Sequence, residues 1–179
     1  LYRTDIMLQF NQSIKESYST MKLLSVAGDQ IHQLLKQDVT VFQIEAKKVM
    51  QSASFGVSSS AHNHGTEDAE TLSWVIENER RAGRLTDTFP GSKFLCIPIG
   101  TRPVKGIISI QFTDEDYIDT YDNSILDSML NDLTLAVENV ALLKQTRQSM
   151  VIAEREATRS NFLQSISHDI RTVSYTHLT

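Results

Sequence analysis

A single cysteine, Cys96, stands among 179 residues, so no internal disulfide can form and stability must come from packing. That usage fits a reducing compartment, and a cytoplasmic setting is expected for the segment. No uncharged apolar run reaches the roughly 18–20 residues needed to cross a bilayer, and no signal-peptide pattern is visible. Basic charge is also short, with 17 Lys and Arg against 22 Asp and Glu and a formal net charge of −5. Without a basic stripe, direct nucleic-acid binding is disfavoured. The seven glycines form no glycine-rich nucleotide loop, and the motifs of an ATP-binding domain are missing. Leu1 stands where an initiator Met would, so the chain is expected to be a piece of something longer.

What is present reads as globular: 40% hydrophobic and 22% charged residues, enough for one ordinary domain plus a helical extension. Residues 1–37 read as helix, because Leu24, Ala27, Gln30, Ile31, Leu34 and Leu35 recur at three- and four-residue spacing. "DVTVFQIE" (38–45) is β-rich, with Val39, Val41 and Phe42 toward a core, and "KKVMQSASFG" (47–56) suits its hairpin partner. A polar loop follows, then a helix with Thr66 as N-cap, Leu72, Val75 and Ile76 on its apolar side, and an end near Gly83. "FLCIPIG" and "VKGIISIQF" read as an antiparallel pair of strands joined by "GTRPV". From about Asp122 the pattern is helical and does not clearly stop; Leu126, Met129, Leu130, Leu133, Val137, Val140 and Leu143 form a near-heptad stripe. The predicted class is α+β. The element order resembles a GAF-type domain, an antiparallel sheet with helices packed on one side, followed by a long C-terminal signalling helix.

The chemistry concentrates in "NFLQSISHDIRT". Phe162, Ile166 and Ile170 lie four apart and share one helix face, predicted to be buried. His168 sits two residues past Ile166, about 200° round the helix, and so points to solvent. An exposed imidazole, with an ordinary pKa of about 6.5, is a fair nucleophile near neutrality. Asp169 can orient the ring or take its proton, and Arg171 and Thr172 offer donors to developing phosphate charge. From physics alone, an incidental exposed histidine is the commoner explanation.

The string "FLQSISHDIRT" resembles the H-box of sensor histidine kinases, F-x-x-x-[IVL]-S-H-[DE]-[ILF]-R-T-P, at Phe162, Ser167, His168, Asp169, Arg171 and Thr172. The resemblance implies that His168 is the phosphoacceptor, Asp169 the acid/base, and Thr172 the residue that positions a water for phosphatase action. Where the family has Pro, this chain has Val173. "VSYTHLT" resembles the translation of a transposon-end adapter, so residues 173–179 are expected to be non-native.

"LSWVIENERRAGRLTDTFPGSKFLCIPI" resembles the GAF region of KdpD-type sensor kinases, which respond to potassium limitation and turgor, at Trp74, Val75, Ala82, Gly83, Thr86, Asp87, Thr88, Pro90 and Pro98. This implies a linker helix (1–20) after a membrane region, a GAF domain (21–143), and a signalling helix entering a HisKA dimerisation hairpin (144–172). It also implies a homodimer at the plasma membrane. ATP and Mg²⁺ would be bound by a domain absent here, and the phosphoryl group would pass to a KdpE-like response regulator receiver domain. The fragment alone should not autophosphorylate. The rival expectation is a small-molecule-binding GAF module without kinase output.

Other features carry less. His62 and His64 lack a third ligand nearby in sequence, and no metal site is expected. Cys96 could anchor a chromophore but reads better as a buried small hydrophobe. Asp114, Glu115, Asp116, Asp119 and Asp122 read as solvated acids favouring the positive start of the next helix, rather than a cation site. Thr86, Asp87 and Thr88 could either brace a turn through Asp87 or line a GAF ligand pocket. Lys144, Arg147, Glu154 and Thr158 occupy the continuing helical seam and would weaken a coiled coil there, as a linker that switches packings would tolerate.

Overall fold

The computed structural model describes residues 2–15, 19–56, 66–113 and 117–177. Its elements are α1 (Tyr2–Lys15), α2 (Thr20–Leu35), β1 (Val39–Glu45), β2 (Lys48–Phe55), α3 (Thr66–Asn78), β3 (Ala82–Gly83), β4 (Phe94–Ile99), β5 (Gly106–Gln111) and α4 (Thr120–His177). The strands form one antiparallel sheet in the order β2-β1-β5-β4-β3. Two compact units are distinguished, Leu1–Val140 and Ala141–Thr179.

Local chemistry sets the element ends. The single N-terminal helix expected over 1–37 is instead two, because Ser19 is extended (φ −119°, ψ 132°) and caps α2. Lys36, left-handed at φ 57°, closes α2 with its N–H on the His32 carbonyl. The β1–β2 hairpin turns through Ala46 and Lys47, both at positive φ. Such a two-residue turn matches strand twist, though neither residue is the usual Asn or Gly. α3 ends at Asn78 rather than near Gly83, since Glu79 takes φ 56° and bonds back to Val75. The released segment lets Ala82 and Gly83 pair with Cys96 and Leu95 as β3, a strand too short to leave a sequence pattern.

Both faces of the sheet are covered, not the one expected. On one face Val39, Val41, Leu95, Ile97, Ile108 and Ile110 pack with residues of α1, α2 and α4. On the other, Phe42, Ile44, Cys96 and Ile107 pack with Leu72 and Val75 of α3. Strands apolar at consecutive positions cannot leave either face in water. In α4 the stripe is buried from Leu126 through Val137, whereas Leu143 is exposed.

Arg3 of α1 reaches the start of α4. Its guanidinium lies 3.1 Å from Asp122, 3.5 Å from Asp119 and over the Tyr121 ring. Asp119 caps α4 by accepting the Asp122 N–H at 2.7 Å, the main reason its pKa is lowered. Burial instead raises that of Asp122. Asp119 therefore behaves as the charge pattern predicted, whereas Asp122 is drawn out of solvent beside Arg3, and Asp114, Glu115 and Asp116 lie outside the described residues.

Candidate functional site

His168, Asp169, Arg171 and Thr172 follow one another on α4, and all four are exposed. The helix there contains neither Gly nor Pro, so nothing interrupts the backbone ladder, which runs through His177. His168 Nδ1 and Asp169 Oδ1 stand 3.7 Å apart, beyond hydrogen-bond range, with side chains 82% and 77% exposed. The Thr172 hydroxyl donates to the His168 carbonyl at 3.0 Å. That bond turns it back along the helix and uses its only donor, so toward a water the hydroxyl would act as an acceptor.

The predicted burial of the opposite stripe does not occur within one chain. Phe162 and Ile170 are 64% and 61% exposed, with Leu163, Ile166 and Val173 exposed beside them. A helix alone offers its apolar side no surface to bury against.

The second site is the connection from β3 to β4. Here Thr86, not Asp87, braces the turn. Its hydroxyl lies 2.7 Å from the Gly83 carbonyl and 2.8 Å from that of Thr88, and accepts the Thr88 N–H at 3.3 Å. The Gly83 N–H donates to the Thr88 carbonyl, closing the loop. Asp87 is exposed. Of the two alternatives the sequence left open, a braced turn is what the structure shows here, held by the Thr86 hydroxyl and not by the Asp87 carboxylate.

A shallow groove of about 590 Å³ lies alongside, lined by Ala69, Glu70, Ser73, Trp74, Glu77 and Asn78 of α3, and by Phe89. Trp74 and Phe89 meet edge to face at 6.4 Å. None of Thr86, Asp87 and Thr88 lines it. Phe89 was not singled out in the sequence; its only signal was its place inside the T-D-T-x-P stretch.

Cys96 is buried against Ser109, 3.7 Å away, and burial pushes its pKa up to about 11. A thiol so enclosed suits packing better than chromophore attachment. His62 and His64 lie outside the described residues, and no metal-ligating cluster occurs among those described. No helix among the described residues is long and apolar enough to cross a membrane.

No protein-family model matches the chain. The sensor protein KdpD of Clostridium acetobutylicum is 32% identical over 99 residues, 55% of this chain and 11% of that protein. The chain thus spans only about a tenth of that relative's length. Among solved structures, the GAF domain of the potassium sensor histidine kinase KdpD from Escherichia coli matches at TM-score 0.62 and 15% identity, over 79% of this chain and 96% of that one. The GAF domain of a putative sensor histidine kinase from Pseudomonas syringae pv. tomato matches at 0.55 and 14% identity, over 83% and 93%. That of an Acinetobacter phosphoenolpyruvate-protein phosphotransferase matches at 0.54 and 16%, over 81% and 98%. The fold is that of a GAF domain, and in sequence and fold together the chain is similar to the GAF region of KdpD sensor proteins.

Proposed function

Taking the chain as a KdpD-type GAF segment, we propose that it is the part of a sensor histidine kinase that links sensing to the phosphoacceptor. In this reading the GAF domain passes its state along α4 to His168. The neutral imidazole attacks the γ-phosphorus of ATP as the bond from that phosphorus to the β,γ-bridging oxygen breaks and ADP leaves. A domain outside this chain would hold the nucleotide, with Mg²⁺ neutralising its phosphates. The displaced proton is taken by solvent or Asp169, and Arg171 faces the developing charge. The phosphoryl group then moves to an aspartate on a KdpE-like response regulator that controls potassium uptake. The intact protein is a membrane-bound homodimer, with residues 144–172 entering the dimerisation hairpin and 173–179 foreign to it.

One observation carries this: the H-box string lies on helix with its histidine in open solvent and its apolar stripe uncovered on the other side. A nucleophile that meets a nucleotide on another domain needs that exposure. The test is His168→Gln in the full-length protein, with transfer of labelled phosphate from ATP as readout. Labelling should vanish, and label surviving on the variant would reject His168 as acceptor. The 179-residue chain by itself should take up none.

A second reading, a small-molecule-binding regulatory module without kinase output, is favoured by the groove beside Trp74 and Phe89. Calorimetry with nucleotides and common metabolites on this chain would test it; absence of any binding heat would count against it.

A further inference from the structure

Helices α3 and α4 cover opposite faces of the sheet, yet a carboxylate associated with each grips the same turn. Glu79, the residue that ends α3, accepts the Arg102 N–H at 2.9 Å. Glu138 of α4 accepts the neighbouring Thr101 N–H at 3.2 Å and pairs with Lys105 at 3.0 Å. Gly100, at φ 79°, makes room for this: a Cβ there would lie 3.1 Å from the Glu138 carboxylate. We propose that the β4–β5 turn, residues 100–105, is a coupling element through which displacement of the end of α3 is felt by α4 around Glu138.

Three features suit the turn to transmit motion instead of absorbing it. Its base is pinned, with the Lys105 N–H on the Ile99 carbonyl at 2.9 Å and the Ile44 N–H on the Lys105 carbonyl at 3.0 Å. The Lys105 ammonium also reaches the Pro103 carbonyl at 3.3 Å, bracing the turn from within. Glu79 and Arg102, the two ends of one hydrogen bond, both hold left-handed backbone, at φ 56° and 54°. Residues other than Gly keep such conformations only where surrounding contacts enforce them, so loss of the bond favours rearrangement over a passive gap. The groove beside Trp74 runs along α3 as far as Asn78, the residue before Glu79, so an occupant that displaced the end of α3 would be felt at this linkage. One other pair joins the same region to α4, Arg81 to Asp127 at 3.1 Å, but both side chains are nearly half exposed and screened.

The test is amide hydrogen exchange on the full 179-residue chain. Glu79→Ala should speed exchange about five- to tenfold in residues 101–105, the loss expected for one solvent-exposed hydrogen bond. It should also speed exchange in residues 134–140 of α4, with β1 unchanged. Glu77→Ala, on α3, which removes the exposed pair with Lys47 of the β1–β2 turn, should leave α4 as it was. The proposal is overturned if Glu79→Ala loosens the turn alone, if α4 and β1 speed up equally, or if Glu77→Ala does the same. A further check is the double variant Glu79→Ala with Glu138→Ala. Melting shifts smaller than the sum of the singles support coupling, and strict additivity refutes it.

Discussion

Thiol reactivity of Cys96 tests the packing between the sheet and α3 directly. The side chain is 2% exposed and belongs to the cluster with Phe42, Leu72, Val75 and Ile107. Burial is the largest influence on its pKa, followed by a smaller lowering from the Ser109 hydrogen bond and a raising by Asp68, and the result is about 11 against 9.0 for a free thiol. At about pH 7.5 the thiolate is then roughly 3 parts in 10,000 of the folded chain and roughly 3 in 100 of the unfolded chain. Ionisation alone slows the native thiol about a hundredfold, and steric closure adds to that. Reaction with a chromogenic disulfide reagent, followed in native buffer and in urea, reads the ratio. Native reaction at the denatured rate would refute the packing described for this face. The same shift has a pH signature. Between about pH 9 and 11 the folded chain holds a proton the unfolded chain has lost, so stability falls as pH rises through that window, by roughly 3 kcal/mol in all. Comparing urea midpoints of the parent and Cys96→Ala across that range separates the thiol from tyrosines and lysines that titrate nearby.

Gly28→Ala would place a Cβ 2.7 Å from Val41 and 2.8 Å from Phe55, where α2 crosses the sheet, and should lower stability by about 1–3 kcal/mol in thermal melts. Thr86→Val removes a hydroxyl that serves both Gly83 and Thr88, and should cost about 1 kcal/mol while speeding exchange at the Thr88 amide. Asp87→Ala, on an exposed side chain, should change stability by less than about 0.5 kcal/mol; a larger loss would restore the carboxylate to the bracing role. Acidification should fray the start of α4, because Asp119 has a lowered pKa in the folded chain. Its contribution is present above the unfolded value and is lost as pH falls through the folded one, and exchange at the Asp122 amide would report it.

The stretch that resembles an H-box was legible because it is contiguous. Six matching residues within eleven need no tertiary information, and helical periodicity alone puts His168 on the side away from Ile166 and Ile170. The strands β1, β4 and β5 were legible as short apolar, β-rich runs and the β4–β5 pairing from the turn between them, whereas the β1–β5 pairing left no local signal. Reading Phe42, Ile44 and Ile107 as a second apolar face would have predicted the covering by α3, and the sequence did contain that signal.

Local pattern alone therefore specifies the apolar strands, a helix stripe beginning at Leu126, and an exposed histidine on a helix, while the covering of the second sheet face and the end of the buried stripe at Val137 came from the structure. Only tertiary structure decided that Ala82 and Gly83 are a strand, that Thr86 rather than Asp87 braces its loop, and that Glu79 and Glu138 meet at one turn. The physical reason is range. Periodicity is written within a few residues, whereas the β3–β4 pairing and the Glu79 and Glu138 bonds join groups that only the strand order brings together. The Thr86 bonds are local, and there a hydroxyl and a neighbouring carboxylate offer the same signal.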